Sequence, residues 1–158
     1  MVLSRVYALG TGDAPAEAFA AAIERPLSAE QLARSWRIAA GLSPEDDALR
    51  RATITALPDV LPKDYNATYQ QAQFLANSAL LAGILKPEPA STVTRLTALP
   101  DPAARVREAF LATYARLPDS EEAAQAKAFL KSRPKQPAEA NRDMLWAMLT
   151  SAEFLTMP

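Results

Sequence analysis

From Ala103 to Leu155 apolar residues return at helical intervals in three successive runs, and this periodicity constrains the fold more than any other feature of the chain. Val106, Phe110, Leu111 and Tyr114 share one face of the first run, and Leu145, Met148, Leu149 and Ala152 share one face of the last. The spacing speaks of packing between helices and not of chemistry. No alternating run of strand length and no internal repeat competes with it. The expected class is all-α: an irregular bundle of about six or seven helices around one core, with no sheet. A length of 158 residues, with 49% hydrophobic residues and four glycines, suits a single domain spanning 1–158.

The remaining helices follow from their punctuation. In RPLSAEQLARSWRIAAG, Ser28 and Gln31 form a capping box, Leu32, Trp36 and Ala40 make the apolar stripe, and Gly41 is the stop. Ser43 and Pro44 open the next helix, with Asp46 and Asp47 in its first turn and Leu49, Ala52 and Ala56 inward. The longest and most apolar helix is expected from Ala67 to Leu85, buried nearly all round, with Asn77 inside it either tying it to a neighbouring loop, the favoured reading, or lining a small polar site. A short helix runs from Ser91 to Leu99. Asp101 and Pro102 then start a helix that stops at Pro118, Asp119 and Glu122 cap the one through Leu130, and the last begins near Ala138. Ahead of all these, Ala16 to Ile23 reads as a short helix with Phe19 and Ile23 one turn apart.

Composition excludes several chemistries. There is neither cysteine nor histidine, which removes disulfides, thiolate sites, His-based triads and His-rich zinc sites. Seventeen basic against eighteen acidic residues leave a net charge of −1, so no overall field draws the chain to nucleic acid. No run reaches the roughly 18 apolar residues that span a bilayer. Glycine-rich phosphate loops, acidic calcium loops and nucleophile elbows have no match, so the expectation is no catalytic, cofactor-binding or metal-ligating residue and no cofactor. Asn66-Ala67-Thr68 fits the glycosylation sequon, which has meaning only in a secreted, glycosylating context.

The polar residues that stand out are structural. Arg116, immediately ahead of Leu117-Pro118 at a helix end, can reach Glu122 or Glu153. Adjacent acids such as Asp46 with Asp47, or Glu121 with Glu122, point about 100° apart on a helix and do not face one reacting atom. Lys127, Lys131, Arg133 and Lys135 surround a helix C-terminus, where the macrodipole favours cations. Pro58 and Pro62 punctuate an irregular stretch, LPDVLPKDYN, that cannot continue a helix and is the best candidate for a functional loop, with Asp59, Asp64 and Tyr65 as its weak site candidates.

Read together, SRVYAL, RPLSAEQL, QQAQFLANS, RVREAFLATYARLPDSEE and LWAMLTSAEFL resemble, in the same order, the uncharacterised C-terminal domain of large planctomycete-type proteins, many of which also carry cytochrome-c-like modules. Its most specific parts are RPLSAEQL, the turn at Arg116 and Pro118, and the closing string, where Thr150 stands in place of the usual asparagine. The resemblance implies an exported or cell-envelope, multidomain parent and no activity to carry over. No haem attachment motif CxxCH occurs here. The expected function is a non-catalytic helical scaffold or interaction module that packs on other domains of its own polypeptide or on a protein partner. The alternative is part of a polysaccharide-acting enzyme whose cleft takes carboxylates from the Asp59 to Tyr65 loop. The apolar opening Val2, Leu3, Val6, Tyr7 and Leu9 is expected to fold back on this domain, with a homodimer formed through it as the second choice.

Overall fold

The computed structural model describes residues 25–57 and 69–157. The apolar opening from Val2 to Leu9, the helix expected at Ala16 to Ile23, the sequon at Asn66, and the loop candidates Asp59, Asp64 and Tyr65 lie outside the described residues. Within them the fold is all-α.

Helix α1, Ala29–Ala39, begins where the sequence places it: Ser28 Oγ accepts the Gln31 N–H at 3.2 Å while Gln31 Oε1 accepts the Ser28 N–H at 2.9 Å. It ends in a Schellman turn, with the Leu42 N–H on the Arg37 carbonyl and the Gly41 N–H on that of Ile38, both at 2.9 Å. Gly41 sits at φ 79°, and a Cβ there would lie 3.0 Å from the backbone oxygen of Ala90 and the backbone nitrogen of Thr92. The closeness has a purpose. Thr92 donates its N–H to the Ala40 carbonyl at 2.8 Å and its hydroxyl to that of Ala39 at 2.7 Å, fastening the end of α1 to the start of α5, Thr92–Ala98. Gly41→Ala therefore meets both a left-handed backbone and an occupied space, and should lower stability by about 2 kcal/mol or more in urea unfolding. A loss under about 0.5 kcal/mol would show that the turn adapts freely.

Helix α2, Asp47–Ala56, starts three residues later than the Ser43-Pro44 pair suggests. Asp46 explains the shift: its Oδ1 accepts the Leu49 N–H at 2.9 Å, and its Oδ2 pairs with Arg37 at 2.7 Å. One carboxylate thus caps α2 and ties it to α1. Leu49 and Thr53 are the buried residues of this face, while Ala52 and Ala56 are half-buried.

The single long helix expected from Ala67 to Leu85 is two: α3, Tyr69–Asn77, and α4, Ala79–Ile84. Ser78 makes the break, since its hydroxyl accepts the Leu81 N–H at 3.3 Å and its ψ of 118° leaves the helical region. The expectation for Asn77 is corrected with it. Its side chain is exposed and only donates back to the Gln73 carbonyl at 3.3 Å, so it ties nothing to a neighbouring loop.

Helix α6, Pro102–Tyr114, has Asp101 as its cap and proline at its first position. Val106 and Phe110 are buried and Tyr114 is half-buried, but Leu111 stands 42% exposed, one step round from the packed face. Helix α7, Ser120–Ser132, opens with the Asp119 and Glu122 capping box. Helix α8, Pro137–Leu149, stops at Thr150, and Ser151 caps a final turn α9, Ala152–Leu155. Ala152 is consequently exposed and does not extend the stripe of Leu145, Met148 and Leu149. Thr150, at the end of α8, donates its hydroxyl to the Trp146 carbonyl at 2.9 Å.

The one strand pairing among the described residues is a two-residue antiparallel pair, β1 (Arg25–Pro26) with β2 (Thr156–Met157), extended by a bond from the Leu27 N–H to the Leu155 carbonyl at 2.8 Å. It clips the start of the described domain to its end. The core is connected: Trp36, Phe110, Leu130, Leu145 and Leu149 belong to one buried cluster, with Leu75 half-buried against it. α1 packs on α2, α5 on α8, and α6 on both α7 and α8. At the centre the indole N–H of Trp36 donates to the Leu149 carbonyl at 2.9 Å, joining residues 113 positions apart.

Candidate functional site

The arginine-x-proline turn builds the most elaborate polar cluster among the described residues. Ala115, at φ 54°, reverses the chain after α6, and Pro118 prevents the helix from resuming. Arg116 is held between them. Its Nη1 and Nη2 donate to Glu122 Oε2 and Oε1 at 2.8 and 2.6 Å, and its Nε and Nη2 to Glu153 Oε1 and Oε2 at 2.6 and 2.8 Å. The remaining Nη1 hydrogen goes to the Leu117 carbonyl at 3.1 Å. All five guanidinium N–H donors are engaged. Of the two carboxylates expected as alternatives, the arginine holds both.

The guanidinium also lies over two rings, 5.3 Å from the Phe110 centroid and 5.4 Å from that of Tyr114. Tyr114 reaches the other way: its hydroxyl donates to the Met148 carbonyl at 3.2 Å and lies 2.9 Å from Ser151 Oγ, the cap of α9. The cluster thus joins the end of α6, the first turn of α7 and the first turn of α9. Burial pushes the Tyr114 phenol up, and the hydrogen bonds that Arg116 donates to Glu122 and then to Glu153 raise its guanidinium.

Glu122 is held at about 2, below its ordinary 4.5, first by the Arg116 hydrogen bonds and then by the Asp119 N–H, which its Oε2 accepts at 2.8 Å. A depressed carboxylate means that the unfolded chain binds more protons through this window. Its contribution to stability is complete above about pH 4.5 and disappears as pH falls toward about 2. Because the pair is partly solvated, the contribution is on the order of 1 kcal/mol. Glu122→Gln should flatten the acid limb of stability by that amount. Parallel acid limbs for the two proteins in urea unfolding would remove the assignment.

Elsewhere the acids are structural as well. Asp46 caps and pairs, and Glu121 accepts the Gln125 side chain at 3.0 Å, pointing away from Glu122. Of the cations around the end of α7, Arg133 pairs with Asp143 and lies 4.9 Å over the Phe129 ring. No group of three acidic residues among those described is placed to hold a metal ion, and no described helix is long and apolar enough to cross a membrane.

One polar residue was missed. Asn141 is fully buried, donates Nδ2 to Thr97 Oγ1 at 3.1 Å, and leaves its Oδ1 without a donor. The signal lay in its position, between Ala140 and the Met144 and Leu145 pair on the buried face of α8. Beside α7, a cavity of about 470 Å³ opens between α6, α7 and α8, lined by Phe110, Tyr114, Ala126, Phe129, Met144 and Met148, with Glu122 and Arg133 toward opposite ends of α7.

The chain matches no family model, no curated protein and no solved structure. Its functional reading rests on the residues themselves.

Proposed function

We propose that this chain is a non-catalytic helical scaffold or interaction module of a larger exported or envelope protein of the planctomycete type. The observation that carries the proposal is the Arg116 cluster. Strongly perturbed ionisable groups collected in one place ordinarily nominate an active site. Here the perturbation has a structural cause: the guanidinium has no donor left for a substrate, and Glu122 is committed both to it and to the cap of α7. Groups held this way lock helices together and present a fixed surface.

Arg116→Lys tests the role. An ammonium cannot copy two bidentate contacts, so the variant should lose on the order of 1–2 kcal/mol of stability while keeping its helical circular dichroism. In parallel, the purified chain should turn over none of a panel of generic esters, glycosides and phosphates. Turnover abolished by substituting Asp59 or Asp64 would replace the scaffold with the enzyme reading. An Arg116→Lys variant as stable as the parent would deprive the cluster of its structural role.

A further inference from the structure

We propose that the groove between α1, α6 and α9 is the docking site of this chain's own residues 16–23, seated there as a helix antiparallel to α1. The inference is independent of the scaffold reading. Its basis is the place at which the chain ahead of Arg25 joins the described domain. Arg25 pairs with Met157 and Pro26 with Thr156, so the entry point is fixed beside the closing strand. Leu27 and Thr156, on either side of that pairing, both line a groove of about 680 Å³ that continues between α1 and α6. Residues 24–28 are the whole connection from 16–23 to α1, and five residues reach at most about 17 Å. Elements joined this closely pack side by side in the great majority of folds. The other stretch outside the described residues, 58–68, joins α2 to α3, and neither helix contributes a described residue to the lining.

The chemistry of the lining selects the same occupant. Ala39 of α1 and Ala112 of α6 keep the two walls low, so a third helix can approach closely, and Ile38, an apolar side chain left 62% exposed, lines the groove as well. The polar groups there are already bonded within the domain. Thr113 donates to the Ala109 carbonyl at 2.8 Å, Thr156 to that of Ala152 at 2.9 Å, and Glu153 is held by Arg116. What the groove offers an occupant is therefore apolar contact at short range. In the string AEAFAAAI, Ala16, Phe19, Ala20 and Ile23 fall at i, i+3, i+4 and i+7, one helical stripe in which the alanines suit the close approach and the two large side chains supply volume. As a helix this string is about 12 Å long. The apolar cluster from Val2 to Leu9 is a further connection away, beyond Gly10, Gly12 and Pro15.

Because the chain has no cysteine, introduced pairs report proximity without background. In the full chain, Ala20→Cys is combined with Ser35→Cys or with Ala112→Cys, which puts one thiol on the stripe and the other on either wall of the groove. Ala20→Cys with Ala147→Cys, exposed on α8 in the cavity beside α7, is the comparison. Under mild oxidation of dilute protein, at least one groove pair should close its intramolecular disulfide about tenfold faster than the comparison pair, read as a mobility shift on non-reducing gels. Phe19→Asp with Ile23→Asp, added to that pair, should slow closure to the comparison rate while helical circular dichroism stays unchanged, since the stripe then loses its apolar contacts but keeps its tether. Equal rates for all three pairs, or fastest closure with Ala147→Cys, overturn the assignment. Closure indifferent to the two aspartates overturns it too, because the tether alone then accounts for the proximity. A disulfide formed only between two chains overturns it equally and gives the groove to the same segment of a second copy. None of these outcomes depends on turnover or on Arg116→Lys, which test the scaffold reading.

Discussion

Trp36→Ala is expected to cost about 3–5 kcal/mol, the range for truncating a large buried aromatic. Trp36 has no exposed surface and stacks at a tilt on Phe74, with ring centroids 6.2 Å apart. Two losses combine in the variant. The cavity removes packing from α1, α3 and α8 together, and the Leu149 carbonyl, at the last residue of α8, loses the indole donor that reaches it at 2.9 Å. Trp36→Phe separates the two, because it keeps most of the volume and removes only the hydrogen bond. It should cost about 1–3 kcal/mol. Urea unfolding of the three proteins checks the order. Equal stability for the parent and the phenylalanine variant would show that the bond adds nothing to the packing.

Phe110→Ala should cost a similar amount, about 3–5 kcal/mol, for a different reason. Phe110 is only 6% exposed, meets the Tyr114 ring edge-on at 5.4 Å, and forms part of the platform under the Arg116 guanidinium. Truncation opens the wall between α6, α7 and α8 and removes one of the two rings that orient the arginine. Phe110→Leu, which fills the space without a ring, should recover most of the packing but not the stacking. A loss below about 1 kcal/mol for the alanine variant would mean that this face of α6 contributes little to the core.

Much of this architecture was legible because it is written in local chemistry. The Ser28 and Gln31 box, the Gly41 stop, the Asp101-Pro102 start and the Asp119 and Glu122 box each act over three or four residues, and each stands where its residues place it. The misplacements share a cause: a short polar side chain decides between two local options by what surrounds it. Ser78 interrupts α3 and α4 by capping the latter, and Ser151 does the same between α8 and α9, where helical periodicity ran straight through. Asp46 takes the cap expected of Ser43 because Arg37, on another helix, is there to hold it. Asn77 reversed its expected setting, and Asn141 went unmarked, for a related reason. Apolar neighbours in sequence do not make a site buried, and only the packing of α5 against α8 places Asn141 beside Thr97. The polar cluster was half legible. The turn at Arg116 and Pro118 pointed to Glu122 and Glu153 as alternatives, but that one guanidinium holds both depends on α9 docking beside α7, which no spacing encodes.

The most direct test of the scaffold account is a double-mutant cycle between Arg116 and Glu153, residues 37 positions apart whose contact joins the end of α6 to the closing turn of the domain. Arg116→Ala, Glu153→Ala and the double variant would be compared with the parent by urea unfolding at neutral pH and low salt. If the cluster locks helices together, the two substitutions are coupled by on the order of 1 kcal/mol, with the coupling shrinking as salt is added. Effects that add within about 0.3 kcal/mol would contradict it, since independent residues cannot form the tie on which the structural reading of this cluster depends.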